Sequence, residues 1–204
     1  MSSLSFYELK RKALKKYFGR MNEKQKEAVF AVNGPVLVLA GAGSGKTTVI
    51  VNRIANMINF GDAYYDDSYQ GSAEDCRFLE NYINGRDADL EQLRETIAVR
   101  PIKPWNILAI TFTNKAAGEL KERLKKALYE KIREGGENAE RLKEEIDDLP
   151  VADISTIDSF CSNVVRRYFY IAGVSPSFKV LDPSEASAIK EKAAQETLEK
   201  LYEE

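Results

Sequence analysis

The chain has 204 residues, enough for one ordinary globular core, and its 44% hydrophobic and 30% charged residues place it with folded rather than disordered proteins. Basic and acidic residues number 30 and 32, so the net charge is only -2 and a nucleic-acid partner must be sought in a local surface. The chain holds no histidine, which excludes catalytic triads and zinc sites built on imidazole.

Two cysteines, Cys76 and Cys161, lie far apart without metal-ligand spacing and read as free thiols of a reducing compartment. The segment "MSSLSFYELKRKALKKYFGR" has no apolar stretch ahead of a small-residue cleavage site, and no run approaches the ~18 apolar residues of a membrane span. The expectation is a soluble cytoplasmic protein with no membrane partner. Charge is unevenly spread: Lys10, Arg11, Lys12, Lys15, Lys16 and Arg20 face only Glu8 in residues 8–20, whereas residues 62–95 are acidic.

In chain order, Leu4, Leu9, Leu14, Tyr17 and Phe18 recur at helical spacing, giving an amphipathic helix with a wet basic face. "MNEKQKEAVFAV" predicts a second helix with Asn22 as N-cap and Gln25 at N3. "PVLVLA" (35–40) reads as a strand buried on both faces, followed by a glycine turn and the helix "GKTTVIVNRIANMI". Residues 61–100 read as an insertion outside the sheet, with one or two solvated helices split at "NGRD". It serves either as a partner-binding or DNA-guarding element or as a surface elaboration.

"WNILAITFT" (105–113) predicts the next buried strand, and "NKAAGELKERLKKALYEKIRE" a charged helix. After "GGEN", a further polar helix ends near Pro150. "VADIST" predicts a third strand, "IDSFCSNVVRRYFYIAG" a helix closed by Gly173, and "PSFKVLD" a short strand. Asp182 or Ser184 then caps a helix that runs to the last residue. This alternation predicts an α/β fold with a parallel sheet and crossover helices.

The chemistry concentrates in "AGAGSGKTT". It fits the phosphate-loop spacing G-x-x-x-x-G-K-[ST], except that Ala40 stands in the first glycine position. Gly41, Gly43 and Gly45 allow a ring of inward-facing N–H groups around phosphate oxygens, together with the backbone of Ala42 and Ser44. Lys46 is placed to meet the β and γ phosphates, Thr47 to give its hydroxyl to Mg2+, and Thr48 continues the site into the helix, whose positive end favours anions. The pattern by itself leaves the base of the nucleotide open.

"MNEKQKEAV", "LVLAGAGSGKTTVIVNRI" and "ILAITFTNKAAGELKERL" together resemble the superfamily 1 DNA helicases of the UvrD/Rep type. The resemblance gives Gln25 the role of reading the adenine edge and accommodates Ala40. It makes ATP with Mg2+ the cofactors, with Lys46 and Thr47 as the catalytic pair. It also identifies Phe112, Thr113, Asn114 and Lys115 as part of a DNA-contacting motif. The residues fit that role, because hydroxyls, an amide, a cation and a ring gather at the carboxyl edge of a strand. The alternative is a buried Phe112 with Thr113 or Asn114 acting only as a helix cap.

"STIDSFCSNVVRRY" is similar to another DNA-contacting motif of that family, through Ser159 and Phe160, and its "SFC" is closest to the AddA type of helicase/nuclease. Asp158 stands where the family commonly has histidine. A carboxylate repels phosphate, so Asp158 is expected to point away as a helix cap. Arg166 and Arg167, late in the helix, read as a solvated face or a complement to its dipole.

A hydrolysing motor also needs an adjacent acid pair and arginines. "FKVLDPSE" offers only Asp182 followed by Pro183 and Ser184, and is rejected as that pair. The resemblance therefore implies an incomplete RecA-like P-loop NTPase domain over residues 1–181, with the start of a helical accessory domain at 182–204. The parent would be an ATP-dependent helicase/nuclease of double-strand break repair, partnered by single- and double-stranded DNA and an AddB-like protein. A UvrD-like repair helicase without nuclease, a small-molecule P-loop kinase and a non-catalytic nucleotide-binding module are the competing readings.

Overall fold

The computed structural model describes residues 4–87, 89–134 and 152–203, and these divide into a unit ending at Phe160 and a second unit from Cys161 onward. The polar helix expected before Pro150 lies outside the described residues.

The first unit opens with α1, Phe6–Tyr17, which Ser5 and Glu8 start with a reciprocal capping box, and α2, Glu23–Phe30, which Asn22 and Gln25 start in the same way. Helix α3 spans Lys46–Asn59. Within the insertion, α4 (Ala73–Ile83) and α5 (Leu90–Ile97) flank the break at "NGRD", as the sequence predicts, but they are not merely solvated, because Phe78, Leu79, Tyr82, Leu93 and Ile97 are buried. The insertion is pinched shut at its base: Asp62 N–H donates to the Val99 carbonyl at 3.0 Å and Val99 N–H to that of Phe60 at 3.0 Å. Gly61 fits only because it lacks a side chain. Its φ is +62°, and a Cβ would stand 1.9 Å from the Val99 oxygen.

Two apolar cores meet at α3. One joins Phe6, Leu9, Ala13 and Leu14 of α1 to Val29 and Phe30 of α2, to Phe78, Leu79 and Tyr82 of α4, and to Leu93 and Ile97 of α5. The other joins Val51, Ile54, Ala55 and Ile58 of α3 to Leu120, Leu124 and Leu128 of α6 (Asn114–Glu134) and to Ile154 of β2. Strands β1 (Leu108–Thr111) and β2 (Asp153–Thr156) pair in parallel, with Leu108 opposite Asp153 and Thr111 opposite Thr156. Described residues are thus mostly helical around a two-stranded parallel sheet.

Several expectations change. Residues 35–40 form no strand, and Leu37 and Leu39 are 84% and 88% exposed. An apolar run becomes a buried strand only with a neighbour for its backbone groups, and β1 and β2 pair with each other instead. The strand expected over 105–113 shrinks to β1, preceded by a 3-10 turn at Pro104–Asn106, and Leu108 and Ile110 are exposed.

The basic face of α1 is also drier than predicted. Lys10 is buried, its Nζ donating to the Asp66 carbonyl at 2.6 Å with the Asp66 carboxylate at 3.8 Å. Burial pulls its pKa below the usual lysine value, and the Asp66 and Asp67 charges oppose that shift. Arg11 donates to Tyr64 Oη at 3.1 Å and Lys16 to the Tyr82 carbonyl at 2.6 Å, so the insertion absorbs these cations.

In the second unit, the helix begun in the first as α7 (Ile157–Arg167) breaks at Tyr168, α8 is Phe169–Ala172, and Gly173 ends it at φ +66° as predicted. Residues 176–182 do not form the expected strand. A turn, Phe178 N–H to the Ser175 carbonyl at 3.1 Å, leads into α9, Pro183–Glu203. Arg166 and Arg167 are exposed in the last turn of α7, as expected, and the Arg166 guanidinium also lies over the Phe178 ring at 4.9 Å.

Candidate functional site

The glycine turn delivers the chain to α3 with its first N–H groups open. Gly45 is the N-cap residue in a left-handed conformation, φ +80°, that an L side chain would strain. No side chain caps α3 and no acid occupies its first turn, so the positive helix end faces the turn without a resident anion. Gly41, Ala42, Gly43, Ser44, Lys46 and Thr48 are exposed, and Gly45 and Thr47 are half-buried.

Bonds within the turn shape it. Ser44 Oγ donates to the Gly41 carbonyl at 2.8 Å, and Lys46 Nζ folds back to the carbonyls of Gly41 at 2.9 Å and Ala40 at 3.2 Å. From α2, Gln25 Nε2 donates to the Ser44 carbonyl at 3.1 Å.

A cavity of about 360 Å³ lies between α2, the turn and α3. Its lining brings together Gln25, Ala40, Gly41, Ser44 and Lys46 of the predicted set, with Val38 and Leu39 as an apolar wall. Asn22, Lys24 and Arg53 line it as well, none of them singled out as site residues from the sequence. Arg53 follows Lys46 by seven residues, the spacing that returns to one face of a helix, which is the signal that could have found it. Its Nη1 donates to the Ala28 carbonyl at 2.6 Å and ties α3 to α2, and burial lowers its pKa.

A second group of predicted residues meets at the carboxyl edge of the sheet. The register pair Thr111–Thr156 ends both strands at one edge, so the segments Phe112–Lys115 and Ile157–Phe160 leave the sheet from the same side. Phe112 is 99% exposed, which removes the reading of a core ring. Thr113 Oγ1 accepts from Ala116 N–H at 3.1 Å and so caps α6, while Asn114 and Lys115 are exposed. Ser159 and Phe160 are half-buried.

Asp158 is not the expected cap. Thr156 Oγ1 accepts from Ser159 N–H at 3.2 Å, and a threonine just before a helix is the ordinary N-cap choice. Asp158 is the second residue of α7, exposed in the first turn, where its charge complements the helix dipole. Asp182 is occupied as a cap, accepting from Ser184 N–H at 2.8 Å and Glu185 N–H at 2.9 Å. The Ser184 hydroxyl, which donates to it at 2.6 Å, and then these N–H groups hold its carboxyl below the usual carboxylate pKa.

The described residues thus present an uncapped helix end behind a glycine turn and, at the carboxyl edge of a parallel strand pair, an exposed ring. The family model of the UvrD/REP helicase N-terminal domain matches residues 21–66 and 90–204, and the chain belongs to that family. Several relatives, each named as one component of an ATP-dependent helicase/nuclease, are similar over most of the chain. The protein of Pediococcus pentosaceus is 32% identical over 181 residues, 88% of this chain and 11% of the relative. That of Lactobacillus acidophilus is 33% identical over 178 residues, 87% of this chain and 11% of the relative. That of Alkaliphilus metalliredigens is 33% identical over 180 residues, 88% and 12% respectively. The chain thus spans only 11–12% of the length of these relatives. Among the described residues, no helix is long and apolar enough to cross a membrane.

Proposed function

We propose that the chain is the ATP-binding and single-stranded-DNA-contacting N-terminal part of an AddA-type helicase/nuclease acting in double-strand break repair. The observation that carries the nucleotide reading is the uncapped, acid-free N-terminus of α3 behind Gly43 and Gly45, with Lys46 folded over it. This donor set suits a triphosphate: N–H groups of residues 41–48 surround the phosphates, and Lys46 exchanges its carbonyl partners for the β and γ oxygens. Bound Mg2+ would neutralise phosphate charge, and Thr47 is the residue that would hold it. Gln25, at the cavity wall, reads the base.

DNA contact falls to Phe112, whose free ring can stack on a base, and to Thr113, Asn114, Lys115, Ser159 and Phe160 around it. Residues 1–181 act as part of a RecA-like motor domain and 182–204 begin an accessory helical domain. The exposed apolar run 36–39 is supporting evidence, because it has the composition of a central strand awaiting neighbours. Hydrolysis, nuclease activity, duplex DNA and an AddB-like partner belong to the longer protein in the cytoplasm.

Calorimetric titration of the 204-residue chain with Mg-ATP tests the nucleotide reading. Weak binding is expected, with a loss of at least about tenfold in Lys46→Ala, since a charge-assisted hydrogen bond contributes ~1.5–3 kcal/mol. Equal affinity in both proteins overturns the reading.

A further inference from the structure

We propose that Gln25 is a positioning residue for the phosphate loop as well as a wall of the base site, so that the two halves of the nucleotide site are mechanically joined through one side-chain amide. The inference rests on reading the cavity as a nucleotide site.

Both ends of the amide are engaged. Nε2 donates to the Ser44 carbonyl at 3.1 Å, and Oε1 accepts from Asn22 N–H at 3.1 Å. A carbonyl only accepts and a backbone N–H only donates, so a flipped amide loses both bonds and the orientation is set. The contact is also steric: a Cβ on Gly45 would come within 3.0 Å of Gln25 Nε2, so the side chain lies directly against the loop.

The two bodies that Gln25 joins differ in rigidity. Helix α2 is anchored by the buried Val29 and Phe30 and by Arg53 on its Ala28 carbonyl. The loop is exposed and glycine-rich, and two of the bonds that shape it come from Lys46. Those two are surrendered when Lys46 turns to a phosphate. The Ser44 tie is not, because Gln25 keeps a second N–H and a second lone pair free for a base while it is in place. The tie therefore holds the Ser44 peptide while the loop closes on its ligand.

Tripolyphosphate, which has no base, separates this role from base reading. In the 204-residue chain, Gln25→Ala is expected to weaken tripolyphosphate by about five- to tenfold, the worth of one hydrogen bond, and ATP by at least as much. Hydrogen exchange of the peptide covering 40–48 is the ligand-free arm, read in Gln25→Glu. That substitution retains an acceptor for Asn22 N–H and removes the donor to Ser44, so faster loop exchange with unchanged exchange in α2 is expected. If Gln25→Ala weakens ATP but leaves tripolyphosphate affinity and loop exchange at wild-type levels, Gln25 serves the base alone and the proposal is overturned. If the wild-type chain binds neither ligand, the nucleotide reading fails, and the exchange arm still decides the tie: faster exchange in Gln25→Glu supports it, unchanged exchange overturns it.

Discussion

The helical layer of α1, α2, α4 and α5 and the sheet side around β1 are both rich in apolar residues but use them in opposite ways. In the helical layer, leucines and aromatic rings from four helices bury one another, with Phe30 stacked on Tyr64 at 4.0 Å, and even Lys10 finds partners. On the sheet side, Leu37, Leu39, Leu108, Ile110 and Phe112 stand in solvent. The difference separates two meanings of an apolar run. A helix stripe is satisfied by any neighbouring helix, whereas a strand needs partners for its N–H and C=O groups, which 35–40 does not find among the described residues. A strand also needs a layer over its face, so Leu108 and Ile110 stay exposed although β1 pairs with β2.

The sharpest break of this comparison comes from leucine truncation on the two sides. Leu79→Ala, in the closed core, is expected to cost about 2–5 kcal/mol in chemical denaturation. Leu37→Ala is expected to stay within about 0.5 kcal/mol. Equal losses would place the 35–40 run in a core after all. Next in size, Phe112→Ala should leave the denaturation midpoint unmoved while lowering single-stranded DNA affinity by about 1–3 kcal/mol, the worth of one stacked base. A fluorescence anisotropy titration reads this, and undiminished affinity would reduce Phe112 to an idle ring.

Smaller is the helical layer's dependence on its caps. Ser72 accepts from Asp75 N–H at 3.1 Å, and Ser72→Ala should cost about 1 kcal/mol, read as a shift in urea midpoint. The least effect is expected from pH at the foot of the insertion. Burial raises the Asp62 pKa, but hydrogen bonds from Arg100 and Asn33 outweigh it and leave it below the usual carboxylate value. A depressed native pKa means that the unfolded chain binds the proton first. The stabilisation is present above about pH 4 and is lost as pH falls through the native value. Arg100 is largely exposed, which keeps the effect small. Urea midpoints from about pH 6 down to about pH 3 should converge between wild type and Asp62→Asn, and parallel curves would dismiss the clamp.

Local chemistry is legible in the sequence and long-range packing is not. The glycine turn, the Asn22–Gln25 cap, the break at "NGRD" and the Gly173 stop each depend on a few adjacent residues, and the structure shows each one. Burial of 35–40 rests on composition, which is silent about whether a partner strand is at hand. Asp158 attracts the cap reading because it solves an electrostatic problem, although Thr156 stands at the strand-to-helix boundary. Nothing in "ELKRKALKKYFGR" announces that Lys10 will meet Asp66, because that contact spans 56 residues. The cavity's Arg53 carries no motif, only helical spacing, and so passes unnoticed in the sequence.

The pinch at Gly61 and Val99 has a further consequence for how such a chain is assembled or edited. Where the two ends of an excursion touch, its contents can change without moving the path of the backbone on either side, and the family model skips residues 67–89 within this excursion. The same model also skips 1–20, and α1 and α4 are each other's packing mates. Cutting out 67–89 would take from α1 its partner α4, while Tyr17 and Phe18 would still hold α1 against Phe60 and Phe30, so the excursion and the first helix must be edited with each other in view.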